Sequence, residues 1–595
     1  MGTEGLSIRR GPSEPALYTG TIPEHFAATV AQHADRPAVI ARAPVSSAQQ
    51  QQQDPDVEET VLTYRGLDLL SNRLAASLAG LGVRKGDRVA VSLGNGAEFA
   101  ALTYAAFKLG AVLVPLNPSF NAGQVCAALA HLQAEVLVIG AVTDLAYKPG
   151  CGRSNEGLLA AVVGDVRAAG PLRSAAVVPS LRHVVVVDNR AYHPQVDFPL
   201  EACPALTPYD ALLAGSDAAV VPSAPLRPSD TINIQFTSGT TSTPKAAMLA
   251  HASILNNGAL IAHRMGLDPR DRIVVPPPLF HCFGSVLGYM ATATTGAALL
   301  FPSPAFDPVA TLRMCLDRDA TGLYGSLRKG IVAGSSVPEA LMRRIYQRLG
   351  LEDLVICYGM TETSPVNCMT TPSDPFVKRT SSVGRPMPHT TVKIVDPTDR
   401  SRVLPLNTRG ELAASGYLVM KGYYDDPERT AEVRIEEPDH PGLTPDNDVP
   451  GKKPGTSVWM YSGDEAEMDA DGYVTITGRI KDLIIRGGEN IHPLEVENCL
   501  FQLPGVKEVS VVGVPDERLG ESVAAFVIPR EAGPQVLTKD AVRAWVRTKL
   551  SSHLVPKHVF WVDEYPKTAS GKIQKFKLRD MAVEALRNAA GSVKA

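Results

Sequence analysis

The sequence predicts an α/β protein, with a large N-terminal domain of layered α/β subdomains and a small α+β C-terminal domain. Two observations carry that expectation. Short Val/Ile/Leu runs alternate with longer Ala/Leu-rich helical patterns over most of the chain, as expected of strands and helices stacked in parallel layers. Near residue 480 the texture changes to a compact unit of roughly a hundred residues, a normal domain size. At 595 residues the chain is too long for one simple domain and long enough to bury a large core.

Taken in order, residues 87–93 (DRVAVSL) read as a strand, 97–109 as a helix and 111–116 as the next strand, with 134–140 and 180–188 continuing the series. Residues 46–59 (SSAQQQQQDPDVEE), 148–157 and 436–455 read as surface insertions, the first a low-complexity polar loop, the last rich in Pro, Gly and Asp. Residues 273–306 carry no Asp, Glu, Lys or Arg, but Pro276, Pro277, Pro278 and His281 interrupt them. A buried strand–loop–helix–strand beside a ligand pocket is expected there, not an integral membrane segment. From residue 495 come a helix pattern, strands at 509–515 and 522–528, and a helix at 539–550. The charged turn GRIKD, 478–482, marks the boundary. No internal repeat is evident.

With 58 basic and 62 acidic side chains the net charge is −4, which offers no basic footprint for nucleic acid. The eight cysteines lack the close spacing of a zinc or redox site, so reduced thiols in an intracellular protein are expected. The N-terminus has no secretory apolar stretch and the C-terminus, SVKA, is not of the peroxisomal Ser-Lys-Leu type. A cytoplasmic location is expected, with the mitochondrion left open.

The strongest local signal is residues 232–251, INIQFTSGTTSTPKAAMLAH. An apolar strand enters a Thr/Ser/Gly-rich loop that ends at Pro244 and Lys245 and is expected to open a helix. The loop offers backbone N–H groups, the hydroxyls of Thr237, Ser238, Thr240, Thr241 and Ser242, and the Lys245 ammonium to oxyanions. It is not a Walker loop, because Pro244 stands where that motif has glycine before its lysine. Residues 93–99 hold only two glycines of a dinucleotide fingerprint, which excludes that reading.

This loop, Gly239 included, resembles the TSGTTG-x-PKG signature of the adenylate-forming superfamily of acyl-CoA synthetases, luciferases and peptide-synthetase adenylation domains. It departs from it at Ser242 and Ala246, where the family usually has glycine. Further motifs follow in family order. PLFHCFG (278–284) resembles the segment whose His, here His281, borders the acyl pocket. AGSSVP (333–338) resembles the loop over which adenine lies, with Gly334, Ser335 and Ser336. CYGMTET (357–363) resembles the YGxTE signature. The resemblance implies that Tyr358 packs on adenine beside Gly359, that Thr361 touches phosphate and that Glu362 holds Mg²⁺. In YSGDEAEMDADGYVTITGRIKDLI (461–484) it implies that Asp464 binds the ribose hydroxyls, that Arg479 approaches ribose or phosphate, and that Lys481 is the hinge. RGGENIHPLEVE (486–497) resembles the loop that closes on the pantetheine channel, through Gly487 and Gly488. PKTASGKIQK (566–575) places Lys572 at the catalytic lysine. The implied organisation is an adenylation domain at 20–479, a hinge at 480–482 and a mobile C-terminal domain at 483–595.

One departure stands out. Residues 317–325 (DRDATGLYG) read as a helix end and a strand, yet SLRKGIVAGSSVP from residue 326 reads at once as the next strand and the adenine loop. Parallel neighbours need a crossover of a dozen or more residues, and chains of the resembled family have a segment here that helps wall the acyl pocket. The crossover is missing at 325–326.

The resemblance implies ATP-dependent conversion of a carboxylic acid to acyl-AMP and then transfer to coenzyme A, with ATP and Mg²⁺ as cofactors. The small, apolar residues 280–300 suggest a medium-chain fatty acid. An aryl or hydroxycinnamic acid, an adenylation enzyme loading a carrier protein, and a variant impaired by the missing segment are the alternatives. The partners expected are small molecules; the oligomeric state is left open.

Overall fold

The computed structural model describes residues 5–44, 58–168, 172, 177–237, 245–317, 327–333, 339–440, 453–530, 537–568 and 571–592. Its central sheet has eight strands, in the order Thr207–Pro208, His183–Val187, Val136–Gly140, Arg88–Ser92, Val112–Pro115, Thr231–Thr237, Lys245–Ala250 and Gly422–Tyr423. The first six run parallel; the last two are antiparallel additions. Successive side chains of a strand point to opposite faces, so Val89, Val91, Leu113, Val136 and Val138 join one core and Ala90, Val112, Val114, Leu137 and Ile139 another. The Val/Ile/Leu runs are unbroken because both faces are buried.

The helix Ala97–Leu109 covers one face, and Gly110 closes it in the left-handed conformation, at φ 70°. Its Tyr104 stacks on Phe26 with ring centroids 3.7 Å apart. On the other face, Asn121 caps the helix Ala122–Leu132 by accepting the Gln124 N–H, while the Gln124 side chain accepts the N–H of Asn121. Among the described residues four further sheets complete the large domain, one holding Lys329–Val332, Asp353–Gly359, Val366–Met369 and Arg385–Pro386, another built on Thr390–Val395, Gly410–Gly416 and Thr456–Met468. The C-terminal unit is a five-stranded sheet whose long hairpin, Val506–Asp516 with Gly520–Pro529, sends alternate residues to two cores. Helices Pro493–Phe501 and Lys539–Lys549 cover one, and Lys575–Ser592 covers the other through Leu578 and Ala582.

Several expectations need correction. Lys245 opens a strand, not a helix: Lys245–Ala250 pairs antiparallel with Thr231–Thr237, and the helix begins at His251. The small side chains of Ala246 and Ala247 are buried between the strands' neighbours, a packing demand that outweighs alanine's helical propensity. The segment 148–157 is not a plain loop, because Gly152–Ser154 pairs with Val142–Asp144 and Glu156–Val163 is helical. Glu59 begins the strand Glu59–Thr63 and ion-pairs Arg42 at 2.9 Å. Likewise Glu436 and Glu437 belong to the strand Arg434–Pro438. Residues 46–57 of the first insertion and 441–452 of the third lie outside the described residues, as does the junction at 325–326. Lys329–Val332 is parallel to Asp353–Gly359, with the helix Glu339–Leu349 as their crossover.

Candidate active site

A cavity of about 670 Å³ opens between the two domains. Its floor is built by the ends of central strands, where the chain leaves a sheet and backbone groups turn toward solvent, the usual place for a ligand in an open α/β sheet. Pro115, Asn117, Phe120, Phe236, Phe280, Phe283 and Leu287 form one arm of the wall. None of these is charged, and an acid with an apolar tail is what such a surface can desolvate.

His281 sits at the start of this arm, its Nδ1 accepting the Phe283 N–H at 3.1 Å. Gly284 beside it has no room for a side chain, because a β-carbon would overlap the carbonyl oxygens of Pro277 and Pro278.

A second set of lining residues makes a polar arm. Thr237 and Lys245, register partners across the antiparallel pair, line it together with Thr361, Glu362 and Gly359. Glu362 is only 6% exposed and its carboxylate accepts a 2.8 Å hydrogen bond from the Tyr423 hydroxyl. Thr361 Oγ1 lies 3.6 Å from the Cys282 sulfur. The described residues contain no cluster of three or more metal-ligating side chains. One buried carboxylate beside the strand ends that carry Thr237 and Lys245 fits Mg²⁺, a cation that keeps waters and needs few protein ligands.

Next to this arm, Tyr358 donates from its hydroxyl to Asp464 Oδ2 at 2.6 Å, and Arg479 Nε donates to Asp464 Oδ1 at 2.9 Å. Arg479, Ser462 and Gly463 line the cavity, while Asp464 is held behind them and is 8% exposed. Burial and the Asp464 carboxylate push the Tyr358 phenol well above its usual range, so it is a fixed donor. Glu411 braces the same turn: it accepts the Gly463 N–H at 3.1 Å and is ion-paired to Arg400 at 2.8 Å.

The hinge and the small domain also line the cavity. Lys481 and Asp482, after the strand Val474–Arg479, line the cavity with Thr568 and Lys572. Burial of Cys282 disfavours its thiolate, yet His281, Thr361 and Lys572 together bring the thiol below its ordinary range. Gly487 and Gly488 are elsewhere. They form the turn between Ile484–Arg486 and Glu489–Ile491, at φ 62° and 87°, which glycine adopts without strain. Neither lines the cavity.

The structure therefore brings together Thr237, Lys245, His281, Gly359, Thr361, Glu362, Arg479, Lys481 and Lys572, with Tyr358 and Asp464 joined to them through Arg479. Ser238, Gly239, Thr240, Thr241, Ser242, Gly334, Ser335 and Ser336 lie outside the described residues. Sequence reasoning missed Tyr423 and Glu411. Tyr423 stands in MKGYYDDPERT, where nothing in periodicity or composition marks it, and its place follows from pairing across the sheet.

Comparison with known proteins identifies the family and the fold. The chain matches the family described as AMP-binding enzyme in two stretches, residues 26–325 and 308–424. It also matches the AMP-binding enzyme C-terminal domain over residues 495–572. It is 35% identical to acyl-CoA ligase SID4 of Ajellomyces capsulatus, covering 97% of this chain and 93% of that protein. It is 33% identical to the mitochondrial medium-chain acyl-CoA ligase ACSF2 of Mus musculus, covering 98% and 91%. Among solved structures, the anthranilate CoA ligase AuaEII in complex with anthranoyl-AMP superposes with a TM-score of 0.75 at 23% identity, over 96% of this chain and 99% of that one. ATP-bound MatB from Rhodopseudomonas palustris gives 0.72 at 24%, over 94% and 98%. Among the described residues no helix is long and apolar enough to cross a membrane.

Proposed function

We propose a substrate and a division of labour for this chain, which belongs to the AMP-binding enzyme family and is an AMP-forming acid–CoA ligase. The proposed acid is a medium-chain fatty acid. The observation that supports it is one cavity with an apolar, uncharged arm at Phe236, Phe280, Phe283 and Leu287 and a polar arm at Lys245, Glu362 and Lys572. A relative named a medium-chain acyl-CoA ligase, aligned over nearly the whole chain, adds support.

In the first half-reaction the carboxylate attacks the α-phosphorus of ATP and pyrophosphate leaves. Catalysis of such a transfer is chiefly positioning and charge stabilisation. Lys572 bridges the carboxylate and the α-phosphate, two anions that otherwise repel. Thr237, Ser238, Gly239, Thr240, Thr241 and Lys245 hold the β- and γ-phosphates, with Thr361 at the α-phosphate. Mg²⁺, when bound at Glu362, neutralises charge on the phosphates. Gly334, Ser335, Ser336, Tyr358 and Gly359 hold adenine, and Asp464 with Arg479 holds the ribose. His281 stands at the entrance to the acyl arm.

In the second half-reaction the thiol of coenzyme A attacks the acyl-adenylate carbonyl, forming the thioester and releasing AMP. The small domain turns about Lys481, withdrawing Lys572 and bringing Gly487 and Gly488 to the thiol channel. The present arrangement, Lys572 at the cavity and the two glycines away from it, suits the first half-reaction.

A second reading is a chain whose acyl arm lacks part of its wall. Support for it comes from the family match, which falls into two stretches that overlap at 308–325, beside the sequence junction at 325–326. One experiment separates the two: acid-dependent exchange of labelled pyrophosphate into ATP, across acids of increasing chain length, without coenzyme A. Exchange that peaks at medium length and falls by about 10²–10³ in Lys572→Ala supports the proposal. No exchange with any acid, from protein that still binds ATP, leaves the impaired reading.

A further inference from the structure

Lys245 and Glu362 carry opposite charges and line the same cavity, and the contacts that hold each of them run to a third residue. The group that touches both is Tyr423. Its hydroxyl donates to Glu362 Oε1 at 2.8 Å, and the Lys245 ammonium sits over its ring, 4.9 Å from the centroid. Tyr423 is 4% exposed and Glu362 6%, so the hydrogen bond between them is shielded from water, where a charge-assisted bond is strongest, and the partly buried Lys245 makes a cation–π contact at the cavity wall.

The backbone around this tyrosine is held on several sides. The strand Gly422–Tyr423 pairs with Lys245–Ala250, with Tyr423 opposite Ala247. The Tyr423 N–H donates to Thr430 Oγ1 at 2.9 Å, and the Met420 N–H donates to the Glu362 carbonyl at 2.9 Å. Gly422 has φ 145° with the Thr430 side chain against it, so only glycine brings the strand this close. Burial, with Glu362 nearby, pushes the phenol above its ordinary range, and it stays a donor across the working pH range.

We propose that Tyr423 is a positioning residue for the nucleotide. It fixes one oxygen of Glu362 so that the other faces the phosphate-bound cation, and it seats Lys245 on its ring so that the ammonium meets phosphate instead of collapsing onto Glu362. The proposal rests on the roles given above to Glu362 and Lys245. Binding groups set before the ligand arrives spare the ordering cost of binding.

Two substitutions take the two contacts apart. Tyr423→Phe keeps the ring and deletes the hydroxyl; Tyr423→Leu deletes both. The readout is Mn²⁺ affinity of the complex with a non-hydrolysable ATP analogue, by electron paramagnetic resonance, beside the KM for ATP at saturating Mg²⁺. Tyr423→Phe should weaken Mn²⁺ by about ten-fold, the worth of one hydrogen bond to a charged group, and leave the KM for ATP within about two-fold. Tyr423→Leu should in addition raise that KM by roughly five- to ten-fold. In a Glu362→Gln background, Tyr423→Phe should add little. Wild-type Mn²⁺ affinity in Tyr423→Phe, with a loss in Glu362→Gln, would overturn the proposal alone. Unchanged affinity in Glu362→Gln would overturn the assignment of Glu362 and the proposal with it. Identical behaviour of the Phe and Leu variants would remove the role of the ring.

Discussion

Replacing Asp464 tests the ribose side of the site, because its carboxylate is held by two donors before any nucleotide binds. Tyr358 donates to one oxygen at 2.6 Å and Arg479 to the other at 2.9 Å. A hydrogen bond to a charged group contributes about 1.5–3 kcal/mol. The Arg479 side chain is 51% exposed, so its share is screened to about 0.5–1 kcal/mol. Asp464→Ala also strands the Tyr358 hydroxyl, and an unpaired buried donor is costly. The expected loss is about 2–4 kcal/mol. Asp464→Asn should cost only about 1 kcal/mol, since its carbonyl can accept from Arg479 and its amide can donate to the Tyr358 oxygen. Urea unfolding without nucleotide, followed by tryptophan fluorescence, reads this directly, since Trp459 is buried on the same strand, Thr456–Met468. The KM for ATP should rise about ten-fold in Asp464→Asn and further in Asp464→Ala. Equal destabilisation by the two variants would show that charge, not hydrogen-bond geometry, holds the carboxylate. Wild-type stability and KM in Asp464→Ala would refute the reasoning altogether.

Three more outcomes are expected. His251 is fully buried, with Nδ1 3.3 Å from the Ile22 N–H that it accepts, and burial lowers its pKa to about 4. The unfolded chain therefore binds the proton first. Stability is complete above about pH 6.5 and falls by roughly 3 kcal/mol as pH drops toward 4. His251→Gln should flatten that window in urea titrations at several pH values. His492 Nδ1 lies 3.0 Å from Glu465 Oε2, within ion-pair distance though off hydrogen-bond geometry, and joins the small domain to the large one. His492→Ala should slow pyrophosphate exchange about five-fold while sparing thioester formation from supplied acyl-AMP, and an equal loss in both would rule out a role in seating Lys572. Gly284→Ala should reduce exchange sharply and lower the unfolding midpoint, because its methyl overlaps the Pro277 and Pro278 carbonyls; a wild-type enzyme would mean the loop can move aside.

Much of the fold was legible because it depends on local patterns. The helix Ala97–Leu109 matches its predicted bounds, and the strands Arg88–Ser92, Val136–Gly140 and His183–Val187 lie inside theirs, since a run buried on both faces must be apolar throughout. The misread helix at Lys245 shows the limit. Ala246, Ala247 and Ala250 favour a helix in isolation, and only the presence of Thr231–Thr237 and Gly422–Tyr423 on either side makes that stretch a strand.

The sequence by itself determined the family and the two-domain organisation, and named many residues that line the cavity, because hydroxyl-rich loops, carboxylates and lysines sit in short motifs whose chemistry is carried by residue type and spacing. Tertiary structure alone decided how those motifs meet. It set Lys572 on the same cavity as Thr361, more than two hundred residues away in sequence, and placed Tyr423 between Lys245 and Glu362. Those contacts join distant strands through sheet register and domain packing, which no local pattern in the chain encodes.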